Sequence, residues 1–449
     1  MTLAWVAAGL AALAVTAPAG PEAEPALHPA AQGAQVVCYV ETLFGGVRPT
    51  GLDLSLCTQV VDAFALVDAT GAVRPAAGLP RTELVKLAHA GGAMALLAVG
   101  GATVPGKVFT QLSADAAARA RFLSELGKLV LAGGYDGVDL DWEFPRPDER
   151  EKHLAFVTEL RASLDALFTQ ARGGQHALLS IGLSPGDALE GYDGAGLARL
   201  TDTFVLFGYD YRNPALGPWA NEAKLWPDGS SRRIEGSVRG AASEYVKRGV
   251  PRAKLVVALP MYASDGRPWD AVRAQVLGRK LPLHPLFLES ELDGVWVTGP
   301  EAMEAKARKL LSSDEIAGGG AAGVALWQLG HQGTHRELTE ALRRGLPPGR
   351  PLNPGPPDAT VLEGAPASLT WDEARGIAEE FAVYAGPSAE AVDRADERSP
   401  LYVGRFRNPR AAAPRGLGKG VHFWRVDALG PGGSVHGKVW SFEVRPREK

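Results

Sequence analysis

Eight apolar runs of strand length recur along the first three quarters of the chain, most of them separated by stretches of helical periodicity. They lie at Gln35–Glu41, Gln59–Val67, Ala93–Gly100, Tyr135–Trp142, Ala177–Leu183, Thr203–Tyr209, Lys254–Pro260 and Ala322–Gln328. Helical patterns fall at Arg81–His89, Ser113–Leu131, Glu149–Thr169, Gly236–Lys247, Glu301–Leu311 and His335–Arg344. In the third of these, Leu154, Val157, Leu160, Leu164 and Leu167 recur every three or four residues, which makes one apolar helix face. Strands that alternate with helices pair in parallel, since a parallel neighbour needs a long crossover. Eight such units predict an α/β fold, a closed (β/α)8 TIM barrel over residues 35–345. An open doubly wound sheet is the alternative. No G-x-G-x-x-G follows the first strand and no Walker motif is present, so nucleotide-binding versions have no support and no cofactor is expected.

The flanks of this region read differently. Leu3–Val15 contains only Ala, Leu, Val, Gly and Trp, and is too short to span a bilayer. Ala17-Pro18-Ala19 follows and fits a cleavage site, so residues 1–19 are expected to be a signal peptide and 20–34 a flexible tether. A secreted protein, extracellular or periplasmic, is the expectation. Cys38 and Cys57 are the two cysteines, and in an oxidising compartment they would bond to each other; otherwise they are two buried thiols. After the barrel, residues 346–357 read LPPGRPLNPGPP, with six prolines, an extended linker. Short strands then follow at Ala367–Trp371, Glu380–Tyr384, Leu401–Phe406, Gly420–Leu429 and Lys438–Val444, which predict a small all-β sandwich over 358–449. The net charge of −4 excludes a nucleic-acid binder relying on a basic field, and no membrane span is expected. A monomer is expected.

The chemistry concentrates on the fourth strand, where residues 135–145 read YDGVDLDWEFP. Strand side chains alternate, so Asp139, Asp141 and Glu143 share one face and Val138, Leu140 and Trp142 the other. Barrel strands are buried on both faces and are normally apolar. A row of carboxylates there is costly, and neighbouring like charges raise at least one pKa. A carboxyl that keeps its proton near neutral pH is a general acid. Glu143 comes last, at the C-terminal end where barrel sites open, and is the candidate acid. Asp136 reads as structural, bonded to backbone near Gly100. His331 and His335 read as surface residues rather than metal ligands, and no metal is expected.

The stretch DGVDLDWEFP is similar to the DGxDxDxE signature of glycoside hydrolase family 18, the chitinase and chitinase-like family. Other segments carry the same resemblance: VCYV at 37–40, LCTQVVDAFA at 56–65, LLAVGG at 96–101, FGYD at 207–210, GVPRAKLVVALPMYA at 249–263 and GVALW at 323–327. Ala98 stands where the family's third strand has Ser, and Phe207 where it has Met. The resemblance implies a retaining, substrate-assisted hydrolase of β-1,4 bonds in GlcNAc-containing polysaccharide or oligosaccharide. Glu143 would be the acid, Asp141 would hold the sugar's acetamido group, and Asp139 would share a proton with Asp141. Tyr209 would donate to the acetamido oxygen, with Asp210 beside it. Trp327 would floor the sugar site, Tyr39 and Phe64 would line it, and Tyr262 would contact the acetamide. In some family members the cysteines at the places of Cys38 and Cys57 are bonded. Glycoprotein glycans or peptidoglycan are alternative substrates, and a non-catalytic chitin-binding lectin is a second alternative. Ala102 and Thr103 replace a Trp common in chitinases, and only about 60 residues separate the last two strands, which implies a shallow cleft. The segments SLTWDEA (368–374), FAVYAG (381–386), FWRVDAL (423–429) and VWSFEV (439–444) resemble a fibronectin type III-like domain, with Trp371, Trp424 and Val426 in its core and His422 where a corner tyrosine often stands.

Overall fold

A computed structural model describes residues 33–41, 51–184, 189–209, 238–279, 289–292, 295–312, 316, 318–372, 377–430 and 433–446. The expected signal peptide, most of the expected tether and Asp210 lie outside the described residues.

Eight parallel strands close into a barrel. They are β1 (Gln35–Glu41), β2 (Gln59–Val67), β3 (Met94–Gly100), β4 (Gly137–Asp141), β5 (Leu178–Leu183), β6 (Thr203–Phe207), β7 (Leu255–Pro260) and β8 (Gly323–Trp327). Each pairs with its neighbour in sequence order, and β1 pairs with β8, Gln35 opposite Gly323, so no edge is left between them. A short antiparallel strand, Val73–Pro75, lies beside the end of β2. Alternation along the strands sorts side chains into two layers. Val37, Tyr39, Val61, Ala63, Leu96, Ala98, Val205 and Ala258 form one buried cluster in the lumen. Val36, Cys38, Val60, Leu97, Val99, Val138 and Leu140 join the larger cluster between barrel and helices. Cys38 and Cys57 are bonded in that outer layer and tie β1 to the approach of β2.

The helices α1 (Thr82–Ala90), α2 (Gly106–Ala114), α3 (Ala116–Gly133) and α4 (Arg150–Ala171) cover this half of the barrel. The region expected as one helix from Ser113 is divided at Asp115. Its extended backbone ends α2, and its carboxylate accepts from the Ala117 and Ala118 amides to start α3. The buried face of α4 is His153, Phe156, Val157, Leu160, Leu164 and Phe168, while Leu154 and Leu167 are only half-buried. The face is thus rotated from the all-leucine stripe, because two phenylalanines and a histidine fill the space over β4. Further helices are α5 (Gly194–Leu197), α6 (Val238–Lys247), α7 (Trp269–Gly278), α8 (Pro300–Ser312) and α9 (Glu337–Gly345).

Beyond the barrel, the strands form separate all-β sheets. One has the order 352–355, 368–372, 410–412; the other runs 360–363, 439–445, 420–430, 380–386, 402–406, with 433–435 added to 420–430. Both line one core, which buries Leu369, Trp371, Phe381, Val383, Trp424, Val426, Trp440 and Phe442. The Pro-rich segment is not spacer throughout: Leu352–Gly355 pairs antiparallel with Ser368–Asp372. Its proline cannot donate, and a strand at the sheet's edge tolerates that.

Candidate active site

β4 puts its acidic residues at the C-terminal mouth of the lumen. Asp139 and Asp141 are fully buried, while Val138, Leu140 and Trp142 pack outward under the helices. Trp142 stacks on Phe109 at 5.3 Å and meets His153 and Phe156 edge-on. The strand itself ends at Asp141, so Trp142 and Glu143 begin the loop above it, and Glu143 is half-buried. This explains the order of exposure: two carboxyls sealed within and a third at the rim.

Electrostatics follow from that burial. Tyr39 on β1 donates its hydroxyl to Asp139 Oδ2 at 2.8 Å. Loss of solvent raises the Asp139 pKa to about 6, against the opposing pull of the Ser180 and Tyr39 hydroxyls. Asp141 is pushed well above the usual carboxylate range, first by burial and then by the charges of Asp139 and Glu143. Near neutral pH the group therefore holds a proton that isolated carboxylates would have lost. The Tyr39 phenol is itself raised by burial and by both aspartates, so it stays a donor.

Aromatic rings surround the carboxyls. Trp327 ends β8 with its ring 5.4 Å from Tyr39 and 5.6 Å from Phe64. Phe207 and Tyr209 stack at 5.5 Å, and Tyr262 meets Tyr209 edge-on at 6.0 Å. Trp327 and Tyr262 are partly buried against the lumen cluster that contains Tyr39, Phe64, Phe207 and Tyr209. Cis peptide bonds join Ala63 to Phe64, Glu143 to Phe144 and Trp327 to Gln328. Glu143, Asp141, Asp139, Tyr39, Phe64, Tyr209, Tyr262 and Trp327 thus come to one mouth; Asp210 lies outside the described residues.

Asp136 has a different partner from the one expected. Its Oδ2 accepts from the Ala95 amide at 2.8 Å and lies 2.7 Å from His89 Nε2. It precedes β4 and so sits at the opposite end of the barrel from Gly100. Three residues near the site carry no motif. Ser180 faces Asp139 from β5. At Gly182 a Cβ would overlap Asp141 Oδ1 and come within 2.8 Å of Phe207 Cζ, so only glycine leaves that space. Tyr192 donates to the Gly182 carbonyl at 3.3 Å, and its pKa is raised first by burial and further by the charges of Glu143 and Asp141. The DxDxE pattern gives no hint of what the next strand offers. Among the described residues, no group of three His, Cys, Asp or Glu is placed to hold a metal ion, and no helix is long and apolar enough to cross a membrane.

A closed (β/α)8 barrel with carboxyls at the C-terminal mouth of its fourth strand is a common enzyme architecture. Residues 35–310 match the model of glycosyl hydrolases family 18, and the chain belongs to that family. It is 28% identical over 297 residues to a probable chitinase 2 of Drosophila melanogaster, covering 60% of this chain and 56% of the relative. It is 29% identical over 247 residues to chitotriosidase-1 of Mus musculus, covering 51% and 53%. The chain spans about half the length of these curated relatives. Among solved structures, a chitinase of Trichuris suis superimposes with a TM-score of 0.57 at 19% identity, over 66% of this chain and 92% of that one. A family 18 N-acetylglucosaminidase of Paenibacillus barengoltzii gives 0.56 at 21% identity, over 70% and 100%. These two likenesses show the barrel fold.

Proposed function

We propose that the chain is a glycoside hydrolase that cleaves β-1,4 bonds of GlcNAc-containing chains with retention, using the substrate's own acetamido group. The observation that carries this reading is the graded carboxyl row: Asp139 and Asp141 buried with raised pKa values, and Glu143 half-exposed at the rim. Glu143 gives its proton to the glycosidic oxygen. As the C1–O bond breaks, the acetamido carbonyl oxygen bonds to C1 and an oxazolinium ion forms. Asp141 accepts from the acetamido N–H and balances the charge that develops there. Asp139, held by Tyr39, shares one proton with Asp141: while Asp141 carries it Asp139 is the anion, and when it returns to Asp139 the charge moves to Asp141. Glu143 then draws a proton from water, which opens the ring. Tyr209 donates to the acetamido oxygen with Asp210 beside it, Trp327 floors the sugar, and Phe64 and Tyr262 wall it. Holding nucleophile and acid in place supplies several kcal/mol of the barrier reduction.

Exposed Ala102 and Thr103 at the end of β3 offer no stacking ring beyond the cleavage point, so soluble oligosaccharides fit better than crystalline chitin. Retention of Glu143 favours hydrolysis over a lectin role. The Cys38–Cys57 bond supports export, by way of the 1–19 segment. The region 358–449 is proposed to be a fibronectin type III-like unit; two sheets on one core support this, as does His422, which bonds the Gly418 carbonyl at 2.8 Å. The test is product release from chitin oligosaccharides by the intact protein and by Glu143→Gln. Cleavage by the first alone supports the reading. Equal cleavage by both refutes the role of Glu143, and binding without cleavage by both points to a lectin.

A further inference from the structure

The inner face of β5 faces the acidic strand residue by residue. Leu179 and Ile181 belong to the outer core, so Leu178, Ser180 and Gly182 point inward. Asp139 is paired with Ala98 of β3 on one side and with Ser180 of β5 on the other. Of the two, only Ser180 carries a polar side chain. Asp139 and Ser180 are both fully buried, at 0% and 1% exposure. Tyr39 occupies Asp139 Oδ2, while Asp139 Oδ1 and Ser180 Oγ are each without a hydrogen-bond partner of good geometry. A buried acceptor and a buried rotatable donor, unpaired and side by side in register, satisfy each other with a turn of one side-chain torsion.

We propose that Ser180 is a positioning residue for the reaction, its hydroxyl turning to donate to Asp139 Oδ1 whenever Asp139 is ionised, so that the proton of the aspartate pair resides on Asp141. This rests on the hydrolase reading given above. The bond favours the charged form of Asp139 alone and leaves Asp141 as the member that meets the sugar with a proton to share. Asp139 already feels the pull of the Ser180 hydroxyl in that direction. Other titratable groups facing the pair are Tyr39 from β1, Glu143 above β4 and Tyr192, whose hydroxyl donates to the Gly182 carbonyl, with Tyr209 acting on Tyr39. None of these lies on β5, so a change at position 180 is separable from them.

The experiment compares wild type, Ser180→Ala and Ser180→Thr by carbon-13 NMR titration of aspartate carboxyls, with Asp139 assigned by loss of its signal in Asp139→Asn. Loss of one hydrogen bond to an ionised carboxylate predicts that the Asp139 midpoint rises by about one pH unit in Ser180→Ala. Ser180→Thr keeps a hydroxyl and returns it toward the wild-type value. In parallel, the acid limb of kcat against pH shifts toward neutrality in Ser180→Ala with KM little changed. An unmoved Asp139 midpoint in Ser180→Ala overturns the proposal, and so does an equal displacement in Ser180→Thr, which marks a packing effect. If the wild type releases no product, the hydrolase reading falls, while the titration still decides what Ser180 does.

Discussion

Asp139→Asn separates stability from activity in this barrel. Asp139 is fully buried, and burial raises its pKa from 3.8 to about 6. A carboxyl so shifted costs the folded state about 3 kcal/mol once both states are ionised. The sign is set by proton counting. Between about pH 4 and 6 the folded protein holds more protons than the unfolded chain, so stability falls as pH rises through that window. The amide of asparagine cannot ionise, and its oxygen can still accept from Tyr39. The substitution therefore stabilises the protein above pH 7 relative to wild type, and the gain vanishes below about pH 4. At about 2 °C or somewhat less per kcal/mol for a large domain, the midpoint rises by several degrees at pH 7.5. Thermal denaturation of both proteins at pH 7.5 and pH 4, followed by circular dichroism, measures this. Activity falls steeply in the same variant. A variant destabilised at pH 7.5 as much as at pH 4 would refute the claim that an ionised Asp139 is costly.

Other perturbations have equally definite outcomes. Changing Cys38 and Cys57 together to Ser opens a bond spanning 19 residues; the chain-entropy model gives a loss of about 3 kcal/mol, read as a lower denaturant midpoint, with Glu143 chemistry retained. Trp327→Ala removes the ring that packs on Tyr39 and Phe64, and should raise KM for oligosaccharides about fivefold, the equivalent of about 1 kcal/mol for a lost aromatic contact. Gly191→Ala would drive a Cβ into the Pro145 carbonyl, on the loop that carries Glu143; kcat should drop more than the melting temperature does.

The barrel was legible because each strand is a dense apolar run, and a run buried on both faces has no other place in a soluble fold. All eight runs overlap the strands β1–β8, with ends shifted by up to two residues. The fourth ended early, since Trp142 already turns out of the ladder under Phe109. The helix α7 went unread: Trp269, Val272 and Val276 are its buried residues, too sparse a stripe to stand out. The strands at 352–355, 360–363 and 410–412 were missed because each is only three or four residues long, and the first and last are also broken by Pro or Arg. At the site, the DxDxE row announced its own side chains, yet Ser180, Gly182 and Tyr192 were invisible. Their meaning comes from standing beside that row in space, which one strand's spacing cannot express. Asp136 illustrates the same limit: its residue type signalled a backbone bond, but the choice between Ala95 and Gly100 depended on which end of the barrel it occupies.

The central claim is that cleavage proceeds with retention, the acetamido oxygen of the substrate rather than water attacking the sugar carbon, while Glu143 serves first as acid and then as base. Proton NMR of the first product formed from a chitin oligosaccharide, recorded before mutarotation, tests it most directly. The account predicts that the new reducing end appears as the β-anomer. Initial appearance of the α-anomer would mean direct attack by water with inversion, and would contradict it.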